Sequence, residues 1–395
     1  MKKTLFHLAL ILCLVAGLRA EVPTVEKLLP ADTLAVVAVP DYAKLHDAYI
    51  ASPQGQLWRD PAMKPFVDKF TAKLTKEFFE PLEKDLGTCL TNYISLLQGQ
   101  LTFALVRNGW DGSDTGPQPG WLALIDTRDK SALLQTNLAD LKHKWTDANK
   151  PSRTEKIRDV EFTLLKLSTS DMPPILQKFL TNQKPKFEGD AEKPEETKPS
   201  DNDDRTELYL GQSGSLLIAG NQTNVLEKLL VAQSGSEVST LDELPDFEAT
   251  RVALFRDAQL FVWVNSKIVT EIVNKHLAQN AETEADTPSF TPFKKEKIIG
   301  ALGLDALKSI AFCLRSAEGG SYGEFFLSTP ESERRGLLSL LAGVNKEVLP
   351  PEFVPGDTIN FQRYRFDGPK TWDNLEKLLS NLSPQLLAGV NFAIE

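Results

Sequence analysis

A chain of 395 residues with 54 acidic against 44 basic side chains has a net charge of −10. That balance argues against nucleic acid or an anionic membrane as a partner, since both are held by basic surface. The length allows two or three domains of ordinary size, or one elongated one.

Lys2 and Lys3 precede an apolar run from Leu5 to Gly17, followed by Leu18-Arg-Ala20 and acidic Glu21. A basic start, a short apolar stretch and a small residue at its end predict a secretory signal peptide over 1–20, cleaved after Ala20. The run is shorter than the roughly 20 residues a membrane span needs. Removing it takes three of the 44 basic residues and none of the 54 acidic ones, moving the net charge from −10 to −13. No second long apolar run follows, so no membrane span is expected after signal removal.

Leu29 to Phe66 sets the pattern for what comes next. Leu34–Val39 is six apolar residues rich in valine, which predicts a strand buried on both faces. Pro40 ends it, Asp41 stands at a helix N-cap, and Ser52-Pro53-Gln-Gly55 closes a short helix. Met63, Phe66, Val67, Phe70, Leu74, Phe78, Leu82 and Leu86 recur every three or four residues, predicting a long amphipathic helix bent at Pro81. A short helix over Leu90–Leu97 follows. Gln100–Val106 and Trp121–Ile125 read as strands around a turn-rich loop containing Trp110. Asp126 to Asp129 starts a helix through Trp145, and Val160–Leu167 is the next strand.

Residues 182–206 are charged, proline-containing and nearly free of apolar side chains, which predicts a disordered insertion. Asp201, Asp203 and Asp204 do not form a calcium loop: Arg205 occupies a ligand position and the glycine is missing. Glu207–Gln212 and Ser215–Ala219 read as a hairpin, with Asn221 or Thr223 capping a helix through Val231. Leu260–Val264 is a strand, and a helix starts at Asn265. Ser309–Leu314 and Gly323–Leu327 form a second hairpin. Gly336–Leu341 is helical, Ile359–Phe366 is a strand, and Trp372–Leu382 is a helix.

Asp32, Asp257 and Asp357 each precede a strand that is followed by Asp or Asn and then a helix. The matched spacing reads as an internal repeat. Strand–helix units mixed with antiparallel hairpins predict an α+β fold of ferredoxin-like lobes, helices on one sheet face. The expected division is an N-terminal lobe over 21–240 and a C-terminal lobe over 241–395 that reads as truncated.

Leu29-Pro-Ala-Asp-Thr33, Ser52-Pro-Gln-Gly-Gln-Leu-Trp-Arg-Asp-Pro61, Trp121-Leu-Ala-Leu-Ile-Asp126, Asp246-Phe247, Val264-Asn265 and Leu302-Gly-Leu-Asp-Ala-Leu307 resemble a family of exported bacterial proteins designated domain of unknown function 3352. The resemblance covers most of the chain after the signal. It implies bacterial export, and it implies no activity, cofactor or catalytic residue. In that family more chain is expected after the last helix, whereas here Leu386–Ile394 runs apolar almost to the end.

No catalytic, cofactor-binding or metal-ligating set emerges from the residues. His46, His143 and His276 are scattered on helices among charged neighbours, as solvated histidines are. Gly211-Gln-Ser213-Gly214-Ser215 falls short of a nucleophile elbow because Ser215 stands where a glycine belongs. Asp41, Asp126 and Asp367 are the candidate glycosidase carboxylates, but helix capping accounts for each. Cys89 and Cys313 could pair in an oxidising compartment, or stay buried free thiols. Trp110, in a Gly/Asp-rich loop, is the one residue singled out for recognition, while Trp58, Trp121 and Trp263 read as core. The expected function is a non-enzymatic binding or scaffolding protein of the periplasm or cell exterior, using no cofactor and meeting an envelope protein or polysaccharide. The alternative is an extracytoplasmic, glycosidase-like hydrolase with paired carboxylates.

Overall fold

The computed structural model describes residues 22–113, 116–168, 205–283, 300–317, 320–341, 351–356, 358 and 368–394. The signal peptide, most of the 182–206 insertion, Asp357, Asp367 and the Ile359–Phe366 strand lie outside the described residues. Arg205 and Thr206, placed in the insertion by composition, belong to a strand.

Helix α1 (Val25–Leu28) leads into β1 (Thr33–Val39). A helical arm follows: α2 (Tyr42–Ala51), α3 (Pro53–Arg59), α4 (Lys64–Leu74) and α5 (Glu80–Leu86). Between α4 and α5, Thr75–Phe79 widens into a π turn in which the Glu80 N–H reaches Thr75 O. Pro81 is the cause, since it has no N–H and its ring would strike the carbonyl four residues earlier. After α6 (Thr91–Ile94) come β2 (Leu101–Val106), β3 (Gly120–Asp126) and α7 (Ser131–Asp147). β4 (Ser152–Ile157), β5 (Val160–Ser168), β6 (Arg205–Ser213) and β7 (Leu216–Gly220) form a meander. Then come α8 (Thr223–Gln233), α9 (Pro245–Thr250), β8 (Leu260–Val264), α10 (Ser266–Thr283), β9 (Ser309–Ala317) and β10 (Gly320–Ser328). α11 (Leu337–Leu341), α12 (Gly368–Leu382) and α13 (Pro384–Ile394) follow.

The ten strands form one antiparallel sheet in the order β10-β9-β8-β1-β2-β3-β7-β6-β5-β4. The α+β class holds. The sheet is continuous across residue 240, because β8 pairs directly with β1.

Helices cover both faces, not one. Consecutive buried residues explain this: Trp121 and Leu122, Leu164 and Leu165, and Leu216 and Leu217 put apolar bulk on both sides of their strands. On one face α8 and α9 pack over Val36, Leu122, Leu124, Ile218 and Trp263. On the other, Leu134, Leu141 and Trp145 of α7 and Leu86 of α5 meet Leu217, Leu165 and Trp121. β1 is covered on one side along its length and open on the other at its middle. Val36 and Ala38 are buried, but Val37 between them is 41% exposed.

β4 was hidden in the sequence. Ser-Arg-Thr-Glu-Lys-Ile lacks an apolar face because it is an edge strand, and its charges keep that edge from pairing with other chains.

The β1-to-β3 and β8-to-β10 segments share a plan: strand, helix, then an antiparallel pair alongside. Val37 and Val262 sit opposite each other where the two plans meet. The Tyr42 N–H donates to Gly99 O (2.8 Å) and the Gly99 N–H to Asp126 O (2.9 Å). Correspondingly, the Lys267 N–H donates to Lys308 O (3.4 Å) and the Lys308 N–H to Ser328 O (2.8 Å). Because β1 and β8 run antiparallel, Asp32 and Asp257 lie at opposite ends of the sheet and cannot share a pocket.

Asp32 does more than shape its own turn, which the Thr33 hydroxyl closes by donating to Pro30 O. Its carboxylate accepts from the Asn108 N–H (3.1 Å) and from Lys228 Nζ of α8 (3.0 Å). Trp58 is not core: it sits on the arm against Phe66 and Phe70, all outside the buried set. Cys89 is exposed and Cys313 is buried in β9, and both are free thiols.

Candidate functional site

A cleft of about 1200 Å³ opens at the sheet end where β1 finishes and β8 begins. The strands dictate its floor. Ala38 of β1, Gln100 just before β2, Asp126 at the end of β3 and Phe261 of β8 face the same side as the α8/α9 core. Ser215 comes from the β6–β7 turn, made tight by Gly214 in the left-handed region (φ 62°). The walls are the Val22–Glu26 segment, the turn from Arg251 to Arg256, and residues 128–135 at the start of α7.

Asp126 locks the floor to the walls. Its Oδ1 accepts the Ser215 hydroxyl (2.7 Å) and the Arg128 N–H (3.0 Å). It therefore joins β3 to the β6–β7 turn and is not a helix cap. Gly99 gives it room, because a methyl there would overlap the Asp126 carboxylate.

Arg128 adopts φ 48°, a left-handed backbone that residues other than glycine rarely take. The Asp126 bond holds its backbone, and its guanidinium donates to Asp41 Oδ2 (2.7 Å). Asp41 also caps α2, accepting from the Lys44 N–H (3.0 Å), as its position predicts. Burial pushes the Asp41 carboxyl up, but the Arg128 and Lys44 contacts outweigh it and hold the group below its ordinary value. A depressed carboxyl stabilises the fold above its unfolded pKa, and this is lost as pH falls through the folded value. The melting-temperature difference between the wild type and Asp41→Asn is therefore expected to stay constant above about pH 5 and to close below about pH 4. A difference independent of pH would show that the carboxylate charge contributes nothing.

The other rim charges are partly engaged. Arg251 makes a two-pronged pair with Glu248 (2.6 and 2.7 Å), which holds the Glu248 carboxyl below its usual range. Arg256 is exposed at the rim, with no ion-pair partner among the described residues.

The decisive group lies on the floor. Gln100 is 9% exposed, and its Nε2 is buried without a hydrogen-bond partner although Asp126 faces it across the β2–β3 pair. Thr102, the next residue inward on the same face, also has an unpartnered hydroxyl. A buried donor left unmade costs about 1–3 kcal/mol, so Gln100 and Thr102 are a polar weak point in this end of β2.

The sequence-derived candidates do not assemble here. Trp110 is half-buried in the β2–β3 loop, at the opposite end of the sheet, where Arg107 Nε donates to its carbonyl (2.9 Å). His46, His143 and His276 lie on α2, α7 and α10, and none lines the cleft. Ser215 thus has a carboxylate acceptor and no imidazole. Among the described residues no group of three or more His, Cys, Asp or Glu is arranged to hold a metal, and no helix is long and apolar enough to cross a membrane. Asn221, read as a helix cap, instead accepts the Trp121 N–H (2.8 Å), and α8 starts after Gln222.

Gln100 did leave a trace in the sequence. The inward positions of β2 are Gln100, Thr102, Ala104 and Val106, so polar residues stand where period-two patterning calls for apolar ones. No family model matches this chain, nor does any curated protein or solved structure.

Proposed function

We propose that this is an exported, non-enzymatic binding protein of the bacterial envelope, working in the periplasm or outside the cell, and that it binds its ligand in the cleft over Gln100. The signal-like N-terminus and the resemblance to an exported bacterial family of unknown function support the location. The unpartnered Gln100 amide carries the binding reading. The paired β1–β3 and β8–β10 plans support reading the fold as an internal repeat whose two copies meet beside this cleft.

The lining suits a glycan bearing N-acetyl and carboxylate groups. Gln100 would donate to an acetyl carbonyl or hydroxyl oxygen, Arg256 would meet the carboxylate, and Val22, Val252 and Phe255 would cover methyl groups. The test is titration with soluble muropeptide, followed by calorimetry. Saturable binding that weakens at least tenfold in Gln100→Leu and in Arg256→Glu supports the reading. Binding unchanged in both variants removes the cleft from it.

One observation favours the hydrolase as a second reading: Asp126, Asp129 and Glu26 all line this cleft. Release of reducing ends from a glycan polymer, abolished by Asp126→Asn, would replace binding with catalysis.

A further inference from the structure

The helical arm between β1 and β2 carries an exposed aromatic cluster. Trp58, Phe66 and Phe70 cluster with ring centroids 5.6–6.3 Å apart. Phe66 is 56% exposed, Phe70 49% and Leu57 54%. No residue of α4 is buried, so no described part of the chain covers this helix.

Charge at the tip is opposite to that of the chain. From 57 to 77, Arg59, Lys64, Lys69, Lys73 and Lys76 stand against Asp60, Asp68 and Glu77, while the whole chain is net −10. Phe66, Phe70 and Leu74 follow each other at four-residue steps, which makes one stripe on the helix. Lys69 and Lys73 run along one flank of that stripe, Lys73 also meeting Glu77 (3.9 Å), and Lys76 follows in the π turn.

We propose that this tip is a docking surface for an anionic phospholipid bilayer, with α4 lying in the interface plane. The aromatic stripe would enter the boundary between headgroups and acyl chains, and the flanking lysines would reach the phosphates. A helix with no buried residue fits a deformable lipid plane. Charges beyond about 10 Å are screened at physiological salt, so the side chains next to the stripe decide what it attracts.

The test is co-sedimentation of the full chain with two vesicle types: phosphatidylethanolamine carrying about one third phosphatidylglycerol, and pure phosphatidylcholine. Three chains are compared: wild type, Phe66→Ser/Phe70→Ser, and Lys69→Glu/Lys73→Glu/Lys76→Glu. All carry the apolar Leu5–Gly17 run, so differences between them report the tip alone. The altered side chains are outside the core, so melting temperatures should match and confirm folding. The expected result is preference for the anionic vesicles, weakened by salt, with partition falling at least about tenfold in both variants. Equal partition of all three chains, or equal binding to neutral vesicles, overturns the proposal. So does self-association through the tip, lost in Phe66→Ser/Phe70→Ser, by a chain that ignores vesicles.

Discussion

Trp263→Ala is expected to lose about 3–5 kcal/mol, the range for emptying a large aromatic from a closed core. Whole domains are stable by only about 5–15 kcal/mol, so this variant should be largely unfolded at moderate urea. Trp263 is fully buried in β8, set edge-on to Phe247 (5.2 Å) and beside the Phe255–Phe261 stack (4.4 Å). Its position joins the two halves of the sheet, because Trp263 pairs with Val36 of β1. The indole Nε1 has no hydrogen-bond partner. Trp263→Phe should therefore cost much less than Trp263→Ala, since it deletes an unpaired donor along with some contact area. Urea denaturation of both variants checks this, and equal losses would mean that the indole N–H is satisfied in solution.

Asp126→Ala should lose about 2–3 kcal/mol, because two hydrogen bonds to an ionised acceptor vanish together. One comes from Ser215 and the other from the strained Arg128 backbone. With the second bond gone, nothing described holds Arg128 at φ 48°, and its pairing with Asp41 should loosen. Asp126→Asn keeps an acceptor and should cost about half as much. Ser215→Ala combined with Asp126→Ala should be less damaging than the sum, because both remove one contact. Strict additivity in that cycle would show that the 2.7 Å bond is not made in solution. Gly99→Ala should partly mimic Asp126→Ala by pushing the carboxylate from its seat.

Strands with strong local patterns were legible in the sequence. Leu260–Val264 and the two hairpins, β6–β7 and β9–β10, fall where alternation and turn residues put them. β4 was not, because an edge strand protected by charge carries no apolar pattern. The two-sided cover of the sheet was missed, although adjacent apolar pairs such as Leu216–Leu217 hint at it, and the exposure of Val37 was not legible either. Six apolar residues in a row look the same whether a helix covers their second face or not. The cleft was beyond local reading, since it gathers residues from 22 to 261 through strand order alone. Trp110 drew attention because a tryptophan in a polar loop is unusual. Gln100 did not, because a glutamine before a strand is common, and only pairing with β3 shows that it points inward.

The most direct measurement of the cleft's role is a crystal structure of the chain soaked with muropeptide. The account predicts ligand density at the end of β1, with a ligand oxygen about 2.7–3.2 Å from Gln100 Nε2. Ligand bound elsewhere, at the Trp110 loop for example, would contradict it. So would a cleft in which Gln100 turns to Asp126 and satisfies itself.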